Sequence, residues 1–140
     1  MTTLSPEYRM TDAIPSNSAE SIFSVDMLLK YMGNDDKALA VVSKIVRDAV
    51  APRMAPIELA ATALREQRLA DAGKILHTLR GSIGTLGAKR LVTASLSLEK
   101  AIAEQHTELI PPLLTTLESE YQLVLRNADD WLQRNMPQGV

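Results

Sequence analysis

Apolar positions recur every three or four residues along most of the chain, and no stretch alternates in the manner of a strand. A first short amphipathic segment covers 24–32, with Ser24 as its N-cap and Gly33 as its stop. Asn34 is then placed to cap a long helix beginning near Asp35, whose early acids suit the positive end of a helix dipole. Within it Leu39, Val42, Val46, Val50, Met54, Ile57, Ala61 and Leu64 hold one phase, although Pro52 and Pro56 interrupt it. An interior proline removes a backbone hydrogen bond and clashes with the preceding turn, at about 3 kcal/mol or more. The unbroken phase fits one kinked helix or two nearly coaxial ones, and the pattern does not choose.

A third helix is predicted over 69–86, buried through Ala72, Leu76, Leu79, Ile83 and Leu86 and punctuated by Gly87. A fourth covers 88–103, with Leu91, Ala94, Leu98 and Ile102 inward. The fifth starts near Thr107, because Pro111 and Pro112 are tolerable only in a first turn. Its stripe is Ile110, Leu114, Leu117, Tyr121, Val124, Ala128 and Trp131. Such seams predict an all-α fold, an antiparallel four-helix bundle with a short additional N-terminal helix. The expected organisation is a loosely ordered leader over 1–22, rich in Ser, Thr and Pro, one bundle domain over 23–134, and a tail over 135–140.

Composition narrows the function more than the fold. A chain of 140 residues, 46% hydrophobic and 23% charged, suffices for one real core. No run of about 18 apolar residues is present, and the N-terminus lacks the apolar region of a secretory signal. A cytoplasmic protein with no membrane association is expected. The absence of cysteine excludes disulfides, thiolate zinc sites and a cysteine nucleophile. The two histidines, His77 and His106, have no i, i+4 partner, so no metal site is expected. His106 falls in a polar turn and reads as a surface residue.

Charge is uneven. Residues 65–90 hold Arg65, Arg68, Lys74, Arg80, Lys89 and Arg90 against Glu66 and Asp71, a local excess of four on a chain of formal charge −2. A positive centre on a mildly acidic protein suits a phosphorylated or carboxylate-rich partner. Nucleic acid is not expected, since the chain is not basic overall and offers few aromatics for stacking.

The informative chemistry lies on the third helix, in His77-Thr78-Leu79-Arg80-Gly81-Ser82-Ile83-Gly84. At about 100° per residue, His77 points roughly 140° away from the centre of the core stripe, into solvent. Gly73, Gly81 and Gly84 share that outer face, flanked by Lys74 and Arg80. Each helical glycine costs up to about 1 kcal/mol relative to alanine. A clearing beside an exposed imidazole, open to close approach by a partner, gives that composition a reason. Imidazole nitrogen is a good nucleophile near neutral pH. A phosphoryl group on it would carry nearly two negative charges, which the Arg80 fork and the Lys74 ammonium can compensate. Spacing alone leaves the bland reading, a solvent histidine among accidental glycines, equally open.

These residues resemble the signature of histidine-containing phosphotransfer (Hpt) domains. His77-Thr78-Leu79-Arg80-Gly81-Ser82, then Leu86-Gly87-Ala88, Leu91 and the pair Leu98-Glu99, are similar to that family's pattern over about 23–134. The resemblance implies a helical bundle with His77 as phosphoacceptor, taking a phosphoryl group from a receiver-domain phosphoaspartate and passing it to another response-regulator aspartate. It implies no kinase or nucleotide site and no cofactor on this chain, with the divalent metal on the receiver domain of the hybrid sensor kinase or response regulator. Gly81 matches the glycine that keeps the histidine accessible, Ser82 completes the motif, and Glu99 falls where an acid or amide orients the ring. Arg80 departs from the usual lysine. Val46 and Ile83 also depart, as core or interface adjustments, and Ile83 with the first two helices is expected to dock the receiver. A monomer is expected. The rival readings are a histidine-bearing input domain of a chemotaxis-type kinase, a non-catalytic adaptor that binds a receiver, and a hydrolase, which lacks a second acid or base near His77.

Overall fold

Left-handed residues and capping side chains set the helix boundaries. In the computed structural model, which describes residues 21–135, six α-helices follow one another: α1 (Asp26–Tyr31), α2 (Asp36–Val50), α3 (Ala55–Arg65), α4 (Leu69–Gly84), α5 (Lys89–Ala103) and α6 (Ile110–Asn135). A 3₁₀ turn over Thr107–Leu109 leads into α6. The expected leader and tail fall almost wholly outside the described residues. No described helix is long and apolar enough to cross a membrane.

The caps shift two of the predicted starts. The backbone of α1 places Val25 at the N-cap, and Ser24 only approaches the Asp26 N–H at 3.4 Å. Asp35, not Asn34, caps α2, its carboxylate accepting from the Ala38 N–H at 2.8 Å. Asn34 instead follows Gly33 through a left-handed turn, with φ of 55° and 105°. The Asn34 N–H reaches back to the Leu29 carbonyl at 2.9 Å. This closure recurs with Gln67 and Gln105 as the left-handed residues, where Arg68 and His106 donate to Ala63 and Ala101. Glycine thus marked one of three equivalent stops.

The proline question resolves into two helices. α2 ends at Val50, a turn spans 51–54, and Pro56 sits in the first turn of α3, where its missing N–H costs nothing. Arg53 in that turn has a φ of 52°. Its carbonyl accepts from the Tyr121 hydroxyl at 2.7 Å, and its guanidinium forks onto the Asp129 carboxylate at 2.9 and 2.7 Å. The break is therefore tied across the molecule to α6.

α3, α4, α5 and α6 each pack on the next, and α2 packs on α6 and α4. Leu76, Ile83, Leu91, Leu98, Leu117 and Tyr121 are fully buried between them, each large side chain contributing roughly 1.5–3 kcal/mol on burial. This is the all-helical bundle that the seams predict, with α1 as its short extra helix. Val46 and Ile83 are both fully buried, which assigns the two unusual residues to the core and removes Ile83 from any docking surface. The α4–α5 turn is locked at Gly87 (φ 66°), where the Ser24 N–H donates to the Leu86 carbonyl at 2.8 Å and Arg90 N–H to the Ser21 carbonyl at 3.2 Å.

Candidate functional site

Helix α4 buries Ala72, Leu76, Leu79 and Ile83 and so turns the residues between them outward. His77 is accordingly exposed, as its phase predicts. Arg80, one turn on, lies half-covered beside α5. One of its terminal nitrogens, Nη2, stands 2.8 Å from Nδ1 of His77. The same guanidinium forks onto Glu99 of α5, from Nε to Oε2 at 2.9 Å and from Nη2 to Oε1 at 3.0 Å. Behind it the Ser95 hydroxyl donates to Glu99 Oε2 at 2.8 Å. Ser95, Glu99, Arg80 and His77 thus form one chain of contacts from the α4–α5 seam to the solvent.

The electrostatics follow from that geometry. Burial pushes the Glu99 carboxyl up, but hydrogen bonds from Arg80 and Ser95 and the nearby Arg80 and His77 outweigh it, holding the group below the ordinary glutamate value. The hydrogen bond to Glu99 in turn raises Arg80, which stays protonated at any working pH. With side-chain exposures of 25% and 18%, this pair is shielded better than the surface pairs among the described residues, such as Lys44–Asp48.

Several sequence expectations change here. Glu99 hydrogen-bonds Arg80 and not the imidazole, and is linked to the ring only through the guanidinium. Of the three glycines, Gly73 and Gly81 face open space, whereas a side chain at Gly84 would lie 3.5 Å from the Val92 side chain of α5. Gly84 therefore borders α5, whereas the other two stand clear of it. Ser82 returns its hydroxyl to the Leu79 carbonyl at 3.2 Å and does not meet His77. Lys74 makes no hydrogen bond or ion pair among the described residues and lines a neighbouring groove. The positive centre is also partly offset: Arg68 meets Glu66 and Asp71 locally, Arg80 meets Glu99 of α5, and Arg90 meets Glu120 of α6 at 2.7 Å.

Two features escaped the sequence reading. Ser95 is fully buried on the inner face of α5, and its only sequence signal is the four-residue spacing to Glu99. The second is a groove of about 460 Å³ beside the histidine, walled by Pro52, Pro56 and Leu59 on one side and by Lys74, Ile75 and Thr78 of α4 on the other. It is predominantly apolar, and Leu59 is 60% exposed at its edge.

Comparison with curated proteins and with solved structures gives no match. A family model does match: the Hpt domain, over residues 50–127, which is more than half of the chain and includes α3, α4, α5 and most of α6. His77, Arg80 and Glu99 all fall inside the matched region. An exposed histidine held by a neighbouring cation on a helical bundle, within that match, makes this chain a member of the Hpt domain family, the phosphotransfer modules of two-component phosphorelays.

Proposed function

We propose that His77 is the phosphoacceptor, taking its phosphoryl group from the phosphoaspartate of one receiver domain and delivering it to an aspartate of another, as between a hybrid sensor kinase and a response regulator. The observation that carries this reading is the exposed imidazole with a buttressed guanidinium on its ring and open space at Gly81 one turn away. A ring nitrogen attacks phosphorus, the P–N bond forms, and the acyl-phosphate P–O bond breaks with the carboxylate as leaving group. Delivery is the reverse of these events on the second receiver. Positioning and charge compensation are what such a transfer needs. Arg80 and Lys74 supply the cations on this chain, and the receiver brings its divalent metal and acidic pocket. The chain acts as a monomeric, cytoplasmic carrier without a kinase or nucleotide site of its own.

The groove between α3 and α4 is the docking surface that this reading favours, replacing the patch around Ile83. Its apolar wall borders the α4 residues that flank His77, so a receiver helix seated there would bring its phosphoaspartate to the ring. The test is transfer of label from a phosphorylated receiver to the wild type and to His77→Gln. Acid-labile, alkali-stable label on the wild type alone supports the carrier. Label on neither protein, with the receiver still bound, overturns it and leaves the non-catalytic adaptor.

A further inference from the structure

A guanidinium has five N–H donors and no acceptor. The 2.8 Å contact between Arg80 Nη2 and His77 Nδ1 therefore runs in one direction, with Arg80 donating and Nδ1 accepting. A neutral imidazole carries one hydrogen, so in this arrangement it sits on Nε2. Nucleophilic attack uses an in-plane nitrogen lone pair. Here the lone pair of Nδ1 is covered by Arg80, and the in-plane position of Nε2 is filled by its own hydrogen. The resting ring, although exposed, offers no free lone pair.

The cover is built and not incidental. Nε and Nη2 of Arg80 are both held by Glu99, and Glu99 is held by the buried Ser95. The second hydrogen of Nη2 is what reaches the ring. Nη1 makes no hydrogen bond among the described residues, so the guanidinium can take a phosphoryl oxygen without leaving Glu99. A lysine would present a single nitrogen in place of this fixed fork.

We propose that Arg80 is a latch on His77: in the resting protein it keeps the ring in its Nε2–H form, and it releases Nδ1 only for an electrophile that brings negative charge. This rests on the carrier reading above. When a receiver docks, the phosphoryl oxygens take Nη1 and the Nη2 hydrogen that Nδ1 had held, and the ring swings off Arg80 while the fork on Glu99 stays. The ring hydrogen passes from Nε2 to Nδ1 through water, which frees the outer nitrogen. Nε2 then attacks phosphorus, the P–Nε2 bond forms, and the aspartate carboxylate leaves with the electron pair of the broken P–O bond. Glu99 and Ser95 are positioning residues, since they act only through Arg80.

The test uses an electrophile that carries no charge. Diethyl pyrocarbonate acylates the unprotonated nitrogen of imidazole and gives Arg80 nothing to bind. Its rate at His77, resolved from His106 by peptide mass, reads the latch without any receiver. Arg80→Gln should raise that rate about fivefold, the worth of one charge-assisted hydrogen bond discounted for partial exposure, while lowering phosphoryl transfer from a receiver. Glu99→Gln, which keeps the cation but removes half of its anchor, should also acylate faster than the wild type. Nitrogen-15 spectra should show the wild-type ring as Nε2–H alone and the Arg80→Gln ring as a mixture of both forms. Acylation of Arg80→Gln at or below the wild-type rate overturns the latch, as does a wild-type ring protonated on Nδ1. If Arg80→Gln does not fold, the Glu99→Gln rate and the wild-type spectrum decide the matter. Failure of the carrier reading shows separately, as a wild type that takes no label while both acylation results hold.

Discussion

At the scale of single residues, the glycines separate function from folding. Gly81 lies in the last turn of α4 with open space where a side chain would stand, so alanine there meets no obstacle and gains helix propensity. Gly81→Ala should stabilise the protein by up to about 1 kcal/mol, read as a higher urea midpoint, while the larger Gly81→Gln slows phosphoryl transfer by crowding the approach to His77. Gly87 is the opposite case. Its φ is 66°, and a Cβ would collide with the Ser24 carbonyl oxygen, an atom of backbone that cannot swing aside. Gly87→Ala should cost at least about 2 kcal/mol, visible in the same denaturation experiment. The sequence placed Gly73, Gly81 and Gly84 on one face by phase alone, and phase cannot tell open solvent from the flank of the next helix. Gly84, unlike the other two, stands on that flank, beside Val92 of α5. The same limit applies to Glu99: a residue 19 positions from Arg80 was legible as near the site, but which side chain it would grip depends on the α4–α5 contact.

At the scale of elements, the break between α2 and α3 shows what periodicity can and cannot carry. The apolar phase through Val50, Met54 and Ile57 was legible because both helices face one core. The choice between a kink and a break was not, because it rests on partners far along the chain. Tyr121, 68 residues away, donates its hydroxyl to the Arg53 carbonyl, and Asp129 binds the Arg53 side chain. Tyr121→Phe keeps the buried ring and leaves that carbonyl without its hydrogen bond, at a cost of about 1–2 kcal/mol. The urea midpoint should fall with an unchanged slope. The same turn supplies Pro52 to the groove beside His77, so Leu59→Glu, at the exposed edge of that groove, makes the matching functional test. It should weaken receiver binding about tenfold or more through burial of a charge, measured by titration calorimetry, with little change in stability because Leu59 is 60% exposed.

At the scale of the whole molecule, the charged residues matter less as a field than as pairs. The excess of cations over 65–90 was legible in the sequence, but Arg80 and Arg90 are answered by Glu99 and Glu120, acids of neighbouring helices outside that stretch, and only the fold reveals it. The pairs make stability depend on pH in a calculable direction. Burial raises the Glu99 carboxyl, and the hydrogen bonds from Arg80 and Ser95 more than reverse this. The hydrogen bond from Arg53 lowers Asp129. Both groups sit below their ordinary values in the folded protein, so the unfolded chain takes up protons first as pH falls. Their contribution is complete at neutral pH, begins to fade as pH drops through the ordinary carboxylate range, and is lost once pH passes below the depressed folded values. For Glu99, shielded to 18% exposure, the contribution is on the order of 1 kcal/mol; for the more exposed Asp129 it is smaller. Unfolding free energy measured from pH 7 down to about 3 should therefore decline, and Glu99→Gln should be less stable at pH 7 and show a shallower decline. Equal slopes for the two proteins would mean that Glu99 titrates alike in the folded and unfolded states. Because the same carboxylate anchors Arg80, acid should also raise the acylation rate of the wild-type ring relative to Glu99→Gln, once both are corrected for the fraction of neutral imidazole. Stability and nucleophile control would then be read from one group, through one hydrogen-bonded fork between α4 and α5.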